Sequence, residues 1–382
     1  MKTFDLAIVG GGMLGIAHAY HALQLGLTVA VLEKNARSQG ATVRNFGQIV
    51  PSGMNAKWQA YGRESLMIYQ LLQEQTDITV RSNGSIYIAS NEEEMTLLEE
   101  LSQINKANDY ESRLMTKAAC LQQYPGLKSD YAIGGLFFPQ EITVDPRQAI
   151  HRITDMLRER QSLAYFANTL VTEIAVEDGQ YRLVNNQRLA VVARKVIVCS
   201  GSDFQTLFPE VFRQSDLQRV KLQMLLTRPQ PLLRIPGSVL TGWTIRRYES
   251  FEECPSFSAI KANEDPEAFH QKWGIHILFK QADDGRVILG DSHEYLNVCD
   301  QEQFDYQLYS EVNGFMVQAA QEIYDLQTYD IEQSWYGIYS QCKNRDVFER
   351  EVAPGLHIVT GIGGKGMTGS LGFAKEKISS IL

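Results

Sequence analysis

The chain is poor in cysteine. Cys120, Cys199, Cys254, Cys299 and Cys342 are odd in number and widely spaced, which argues against a disulfide framework. None forms a C-x-x-C pair, so no zinc site or other metal centre is expected. Cys199 ends the apolar run Val196-Ile197-Val198 and reads as a small buried side chain. No apolar run approaches the ~20 residues of a membrane span. The N-terminus shows one lysine and then a strand, with no signal-peptide core. Basic surplus is lacking too: the net charge of −9 gives no electrostatic reason to seek nucleic acid or an anionic membrane. Repeats, low-complexity segments, an H-E-x-x-H motif and a Ser–His–Asp order are all missing. These absences point to a soluble, cytoplasmic protein. The length of 382 residues points to two domains.

What is present begins with Leu6–Val9, a short apolar strand. The glycine run Gly10-Gly11-Gly12-Met13-Leu14-Gly15 follows, then a helix from about Leu14 to Leu25 that Gly26 ends. Thr28–Leu32 is a second strand, followed directly by Glu33 and Lys34. A lone G-x-G-x-x-G is weak evidence. Between two strands, opening a helix and followed by an acid, it is the dinucleotide fingerprint. Gly10 permits the turn, Gly12 lets the backbone approach a pyrophosphate, and Gly15 lets the helix sit close to the sheet. The helix start offers free N–H groups to the phosphates, and Glu33 offers an acceptor to ribose hydroxyls.

Further along, helices are expected over Ala56–Glu74, Glu92–Asn105 and Arg147–Glu159, the last capped by Asp145 and opened by Pro146. Ser85–Ala89 and Gly135–Phe138 read as strands. Leu170–Val176 and Tyr181–Val184 read as a hairpin, and Lys195–Cys199 as a buried strand. From Val220 strands dominate: Leu222–Thr227, Ile275–Gln281 and Val287–Asp291, the last two joined at Asp284-Gly285. A helix over about Gln307–Ile323 precedes strands Trp335–Tyr339 and His357–Thr360. A second glycine loop, Gly361–Gly369, then opens a final helix to Leu382. The class is α/β, α+β overall. A Rossmann-like nucleotide-binding domain (1–82, 146–219 and 331–382) is interleaved with a mostly antiparallel-sheet substrate domain (83–145 and 220–330).

The second glycine loop selects the dinucleotide. An NAD domain has no need of a distant C-terminal lobe ready for an anion. A flavin does, because its O2/N1 edge gains negative charge on reduction and a helix N-terminus stabilises that charge. The cofactor expected is therefore FAD.

Four stretches together resemble the D-amino-acid oxidase superfamily of flavoproteins: Ile8–Gly15 with Glu33, Thr42–Gln48, Val220–Leu225 and Gly361–Gly369. The resemblance spans the whole chain. It implies FAD, two interleaved domains and oxidation of a C–N bond in an amine or amino acid. By it, Arg44, Asn45, Phe46, Gly47 and Gln48 would pass beside the isoalloxazine and ribityl chain. Val171 would meet the adenine, and Ser200 and Gly201 would lie near the pyrophosphate. Gly363, Gly364, Lys365, Gly366, Met367 and Thr368 would hold the pyrimidine edge, with Lys365 a candidate to stabilise reduced flavin.

Departures from that family narrow the substrate. Glycine oxidase and D-amino-acid oxidase grip the substrate carboxylate with an arginine where this chain has Tyr339. Monomeric sarcosine oxidase uses a lysine where this chain has Thr368. The position of its flavin-linked cysteine matches Gly337, so non-covalent FAD is expected, and its oxygen-activating lysine is replaced by Ile288. Gly274–Ile277, Gly290–Tyr295 and Gly363–Thr368 resemble a bacterial subgroup associated with phosphonate catabolism. The best expectation is hydride transfer from an aminoalkyl- or N-methylaminoalkyl-phosphonate to flavin N5, followed by imine hydrolysis. The partner expected is thus a small anionic amine. Arg246, Arg247, Lys343, Arg345 and Lys365 are candidates to meet its anion. His276, over the flavin, and Tyr339, with Tyr248, are candidates to line its pocket. His293, with Asp291 and Ser292, is another candidate to meet the substrate. The alternatives are an amino-acid oxidase or dehydrogenase acting on glycine, sarcosine or a D-amino acid, the flavin domain of a tRNA-modifying enzyme, or a non-catalytic flavin-bound subunit of a larger dehydrogenase.

Overall fold

The computed structural model describes residues 3–186, 190–300 and 303–381. The glycine fingerprint sits where a parallel sheet demands it. Thr3–Val9 pairs in parallel with Val29–Leu32 on one side and with Ala190–Val198 on the other. Met13–Gln24 is the crossover helix between the first two strands. Strand order in this sheet is Phe348–Ala353, Leu356–Thr360, Ala190–Val198, Thr3–Val9, Val29–Leu32, Ala164–Phe166. The near-continuous burial of Leu6, Ala7 and Ile8 reflects helices and loops on both faces. The expected hairpin, Val171–Glu177 with Gln180–Asn185, hangs from Ala190–Val198 by antiparallel pairing.

Among the described residues the second sheet has nine strands. Leu217–Thr227 pairs with three of its strands. It pairs with Glu294–Asn297 and then Val287–Gly290 along one edge, and with Ile331–Cys342 along its whole other edge. Ser85–Ala89 and Gly134–Phe138 extend the sheet at its far side. The domain boundary expected at 331 therefore shifts: Ile331–Cys342 belongs to the second sheet, and the chain returns to the first only at Phe348. Glu332, Gln333 and Ser334 are exposed and burial begins only at Gly337, as in an edge strand, which a short apolar window at Trp335–Tyr339 does not reveal.

Helices Ala56–Gln75, Glu92–Ala107 and Pro146–Arg160 form where expected, and the Asp145 carboxylate accepts from the Arg147 N–H. Three boundaries differ. The ladder between Leu278–Gln281 and Val287–Gly290 stops at the Leu278/Gly290 pair, so Ile275–Ile277 and Asp291 lie outside the strands. The helix expected from Gln307 begins at Ser310. The final helix is Gly366–Ile381, and Leu382 lies outside the described residues. Among the described residues, no helix is long and apolar enough to cross a membrane.

Candidate active site

The two glycine-lined helix starts meet. Tyr69, fully buried on the helix Ala56–Gln75, places its hydroxyl 2.9 Å from the Met367 carbonyl and 3.7 Å from the Met13 sulfur. The hydroxyl of Thr368, two residues into the last helix, accepts from the Val50 N–H at 3.2 Å. The loop before Val50 is braced by Asn45, whose amide donates to the Ala41 and Thr42 carbonyls while its oxygen accepts from the Gly47 N–H. Arg44 ties the same loop to the second sheet through the Tyr336 carbonyl at 3.2 Å.

These segments wall one cavity of about 910 Å³. At its outer end lie Gly10, Gly12, Met13, Leu14, Gly15, Glu33, Lys34, Val171, Ser200 and Gly201. Arg44–Gln48 and Gly363–Thr368 line its middle. Gly10 has φ +106°, and a Cβ there would lie 2.3 Å from the Cys199 carbonyl oxygen. A Cβ on Gly15 would lie 2.0 Å from the Gly10 carbonyl oxygen, so this glycine is what lets helix and strand touch. Gly12 differs: its φ is −70°, and the Thr42 hydroxyl, at 3.2 Å, is the nearest atom to a Cβ built there. Its bare side is open.

Two observations fit a dinucleotide carrying a flavin. Glu33 is buried, and its carboxylate already accepts from the Gly11 and Asn35 N–H groups, each at 2.9 Å, which fixes it at the mouth of the fingerprint turn. Gln48 is buried on the cavity wall, and its amide nitrogen has no acceptor among the described residues. A buried donor without an acceptor costs about 1–3 kcal/mol unless a ligand supplies one.

The inner end is lined by Leu222, Leu278, Arg247, Tyr248, His276, Asp291, His293 and Tyr339. His276, Asp291 and His293 each bring one nitrogen or oxygen within 4.8 Å of the others. Both nitrogens of His276 are occupied: Nε2 stands 2.7 Å from Oδ1 of Asp291 and Nδ1 3.2 Å from the Thr244 hydroxyl. His276 therefore has no free ring nitrogen with which to orient a substrate; its ring supports Asp291. Nδ1 of His293 lies 3.0 Å from the Gly274 carbonyl and donates to it, which leaves Nε2 as the acceptor nitrogen. Burial pushes the His293 imidazole down to about 3, with Arg247 adding to the effect, and burial also lowers His276. Both rings are neutral at neutral pH. Burial pushes the Tyr248 and Tyr339 hydroxyls up, so both stay protonated.

The five basic candidates separate cleanly. Arg246 is bound by Glu93 at 2.8 Å and Glu94 at 3.0 Å. Arg345 is bound by Asp216 at 2.6 Å. Lys365 reaches Glu249 at 2.5 Å and Asp346 at 3.5 Å. The charges of Arg345 and Lys365 are thus already matched, and neither is open to a substrate or a reduced flavin. Lys343 is exposed at the rim. Arg247 alone of the five lies at the inner end without a carboxylate in ion-pair reach among the described residues. Its partner is the Tyr295 hydroxyl at 2.6 Å. Sequence reasoning also missed Lys280, buried behind Gly47, whose ammonium donates to the Val144 carbonyl; burial pushes it down to about 8. It sits in register opposite Ile288. A lysine directly after the apolar run Ile277–Phe279 was the available signal.

The model of the FAD dependent oxidoreductase (DAO) family matches residues 5–377. Mitochondrial sarcosine dehydrogenase of Mus musculus is 28% identical over 211 residues, covering 52% of this chain and 23% of that protein. Gamma-glutamylputrescine oxidoreductase of Escherichia coli K12 is 23% identical over 237 residues, covering 56% of this chain and 53% of that one. The chain thus matches about half or less of the length of these relatives. Among solved structures, glycine oxidase from Geobacillus kaustophilus superposes with a TM-score of 0.78 at 18% identity, covering 100% of this chain and 95% of that chain, which shows a shared fold.

Proposed function

Because the chain belongs to the FAD dependent oxidoreductase (DAO) family, with FAD as its cofactor, we propose that it oxidises a C–N bond in a small anionic amine, and that the anion is a phosphonate. The observation that carries this reading is Arg247: a cation at the inner end of the cofactor cavity, with no carboxylate in ion-pair reach among the described residues and a fork of donors suited to a multidentate anion. The two positions that carry the family's carboxylate anchors hold Tyr339 and Thr368 instead. Thr368 is spent on the Val50 N–H. The anion is met elsewhere, as a larger and more charged group would require.

Bound flavin would supply a two-electron acceptor for the hydride on the carbon next to nitrogen. The chain's residues do the rest. Gly10, Gly12 and the first helix start would hold the pyrophosphate, Glu33 the ribose, and the Gln48 amide and the helix start at Gly366–Thr368 the flavin's polar edge. Arg247 fixes the anion, which turns the amine end toward the middle of the cavity. Leu222 and Leu278 exclude water from that end. The tyrosines stay neutral and supply hydrogen bonds rather than charge.

The test is anaerobic mixing of the FAD-loaded protein with matched amines. Aminoalkyl- and N-methylaminoalkyl-phosphonates are expected to bleach the flavin, whereas glycine, sarcosine and proline-like carboxylates do so slowly. Faster bleaching by the carboxylates would replace the phosphonate with an amino acid, and no bleaching by any amine would remove the activity altogether.

A further inference from the structure

Arg247 is not the only unmatched charge in the pocket. Asp291 is buried at the inner end, where among the described residues its Oδ1 meets only histidine nitrogens and no charged donor within ion-pair reach. The nearest nitrogens, His276 Nε2 at 2.7 Å and His293 Nδ1 at 3.8 Å, belong to neutral rings, and the His293 proton is committed to the Gly274 carbonyl. Burial alone would raise the Asp291 carboxyl, but His293, His276 and Arg247 outweigh it and hold the group below the ordinary carboxylate range. The group is an ionised carboxylate with no Lys or Arg within ion-pair reach among the described residues. A charge withdrawn from water costs several kcal/mol unless it is paired, and here a guanidinium and a carboxylate share one pocket without pairing to each other.

Their spacing is built into the chain. Gly274 has φ +53°, and a Cβ there would lie 2.9 Å from the His293 Cβ and 3.3 Å from Nη1 of Arg247. Both side chains therefore pack over the bare face of one glycine. Asp291 lies two residues before His293 and accepts the His276 N–H on its own carbonyl at 3.1 Å. Thr244, which holds the outer nitrogen of His276, lies three residues before Arg247. The positive and negative poles are thus fixed by one interlocked set of contacts.

Resting on the reading of the substrate as an anionic amine, we infer that the pocket recognises a zwitterion at both ends: Arg247 takes the anion and Asp291 takes the ammonium, with His276 holding the carboxylate in place and His293 walling the space between. Asp291 is then a substrate-contacting residue that selects amines over isosteric neutral groups.

The test is calorimetric binding to the FAD-loaded protein, using two probes that cannot be oxidised. One is an aminophosphonate whose amine-bearing carbon holds methyl groups in place of hydrogen. The other is neopentylphosphonate, the same skeleton with methyl in place of ammonium. In the parent protein the ammonium probe is expected to bind about 10- to 100-fold more tightly, the range of a charge-assisted hydrogen bond. Asp291→Asn should erase that preference while leaving neopentylphosphonate within about twofold. Arg247→Met should weaken both probes. Equal binding of the two probes to the parent overturns the role of Asp291 and leaves the phosphonate reading standing; no binding of either overturns the phosphonate reading itself. The parent comparison needs no variant, so a poorly folded Asp291→Asn does not rescue the inference. If that variant folds and keeps the full preference, the inference fails.

Discussion

Two glycines in the same fingerprint should fail in opposite ways when changed to alanine. A methyl group on Gly15 meets the Gly10 carbonyl oxygen at 2.0 Å, far inside contact distance and against backbone that has nowhere to move. Forcing the first helix off the sheet costs about 3 kcal/mol, the upper part of the usual range for overpacking. Gly15→Ala should therefore lower the thermal midpoint of the apoprotein by several degrees. A methyl on Gly12 meets only the Thr42 hydroxyl, at 3.2 Å, and the backbone there suits any residue. Stability should change by no more than ~0.5 kcal/mol. The same methyl fills the open side through which phosphate oxygens reach the helix N–H groups. Lengthening two charge-assisted hydrogen bonds by the width of a methyl group costs ~3 kcal/mol, or about 100-fold in FAD affinity. Thermal melts of the two apoproteins and fluorescence titration with FAD measure both effects. A stable Gly15→Ala, or a Gly12→Ala that binds FAD as tightly as the parent, refutes the assignment of these roles.

Other outcomes follow from the same structure. Arg247→Met should lower kcat/KM for anionic amines by about 30-fold or more, from the ~2–5 kcal/mol of a buried charge contact, while neutral amines lose little; equal losses for both would remove Arg247 as the anion site. The stability of the fold should fall as pH drops below 6.5. His18 and His293 are buried neutral, and burial holds them at about 4 and about 3 against 6.5 in the unfolded chain. Between those values the unfolded chain binds more protons, so the stability present above 6.5 is lost on acidification. Melts from pH 7 down to pH 4 should show that decline, and His293→Gln should flatten it. With Gly337 at the position that matches the flavin-linked cysteine of monomeric sarcosine oxidase, acid precipitation should release all the flavin into the supernatant; yellow colour retained in the pellet would mean a covalent link.

The parts legible in the sequence were those set by local rules. Gly10, Gly12 and Gly15 announce the first βαβ unit because a turn, a close approach and a helix–sheet contact each exclude a side chain. Asp145-Pro146 announces a helix start, and Asp284-Gly285 a hairpin. The cavity lining was legible through resemblance, residue by residue. What escaped depends on partners far away in the chain. Nothing around Arg246 or Arg247 says which of them faces acids: that is decided by Glu93 and Glu94, some 150 positions earlier. His276 looked free because Thr244 and Asp291, its two partners, come from other segments. Asp291 looked like the end of a strand, whereas the ladder stops one residue before it and turns the carboxylate into the pocket wall. The strand Ile331–Cys342 was underestimated because its outer half is half-exposed and its sheet is set by pairing with Leu217–Thr227.

The claim beneath the whole account is that the N-terminal fingerprint and the C-terminal glycine loop hold one and the same nucleotide. Titration of apoprotein with FAD, repeated with Gly12→Ala and with Gly366→Val, addresses it directly. The account predicts one FAD per chain, and a loss of affinity at that single site from either substitution. A chain that takes up no FAD, or one whose FAD affinity is untouched by the change at Gly366, would contradict it.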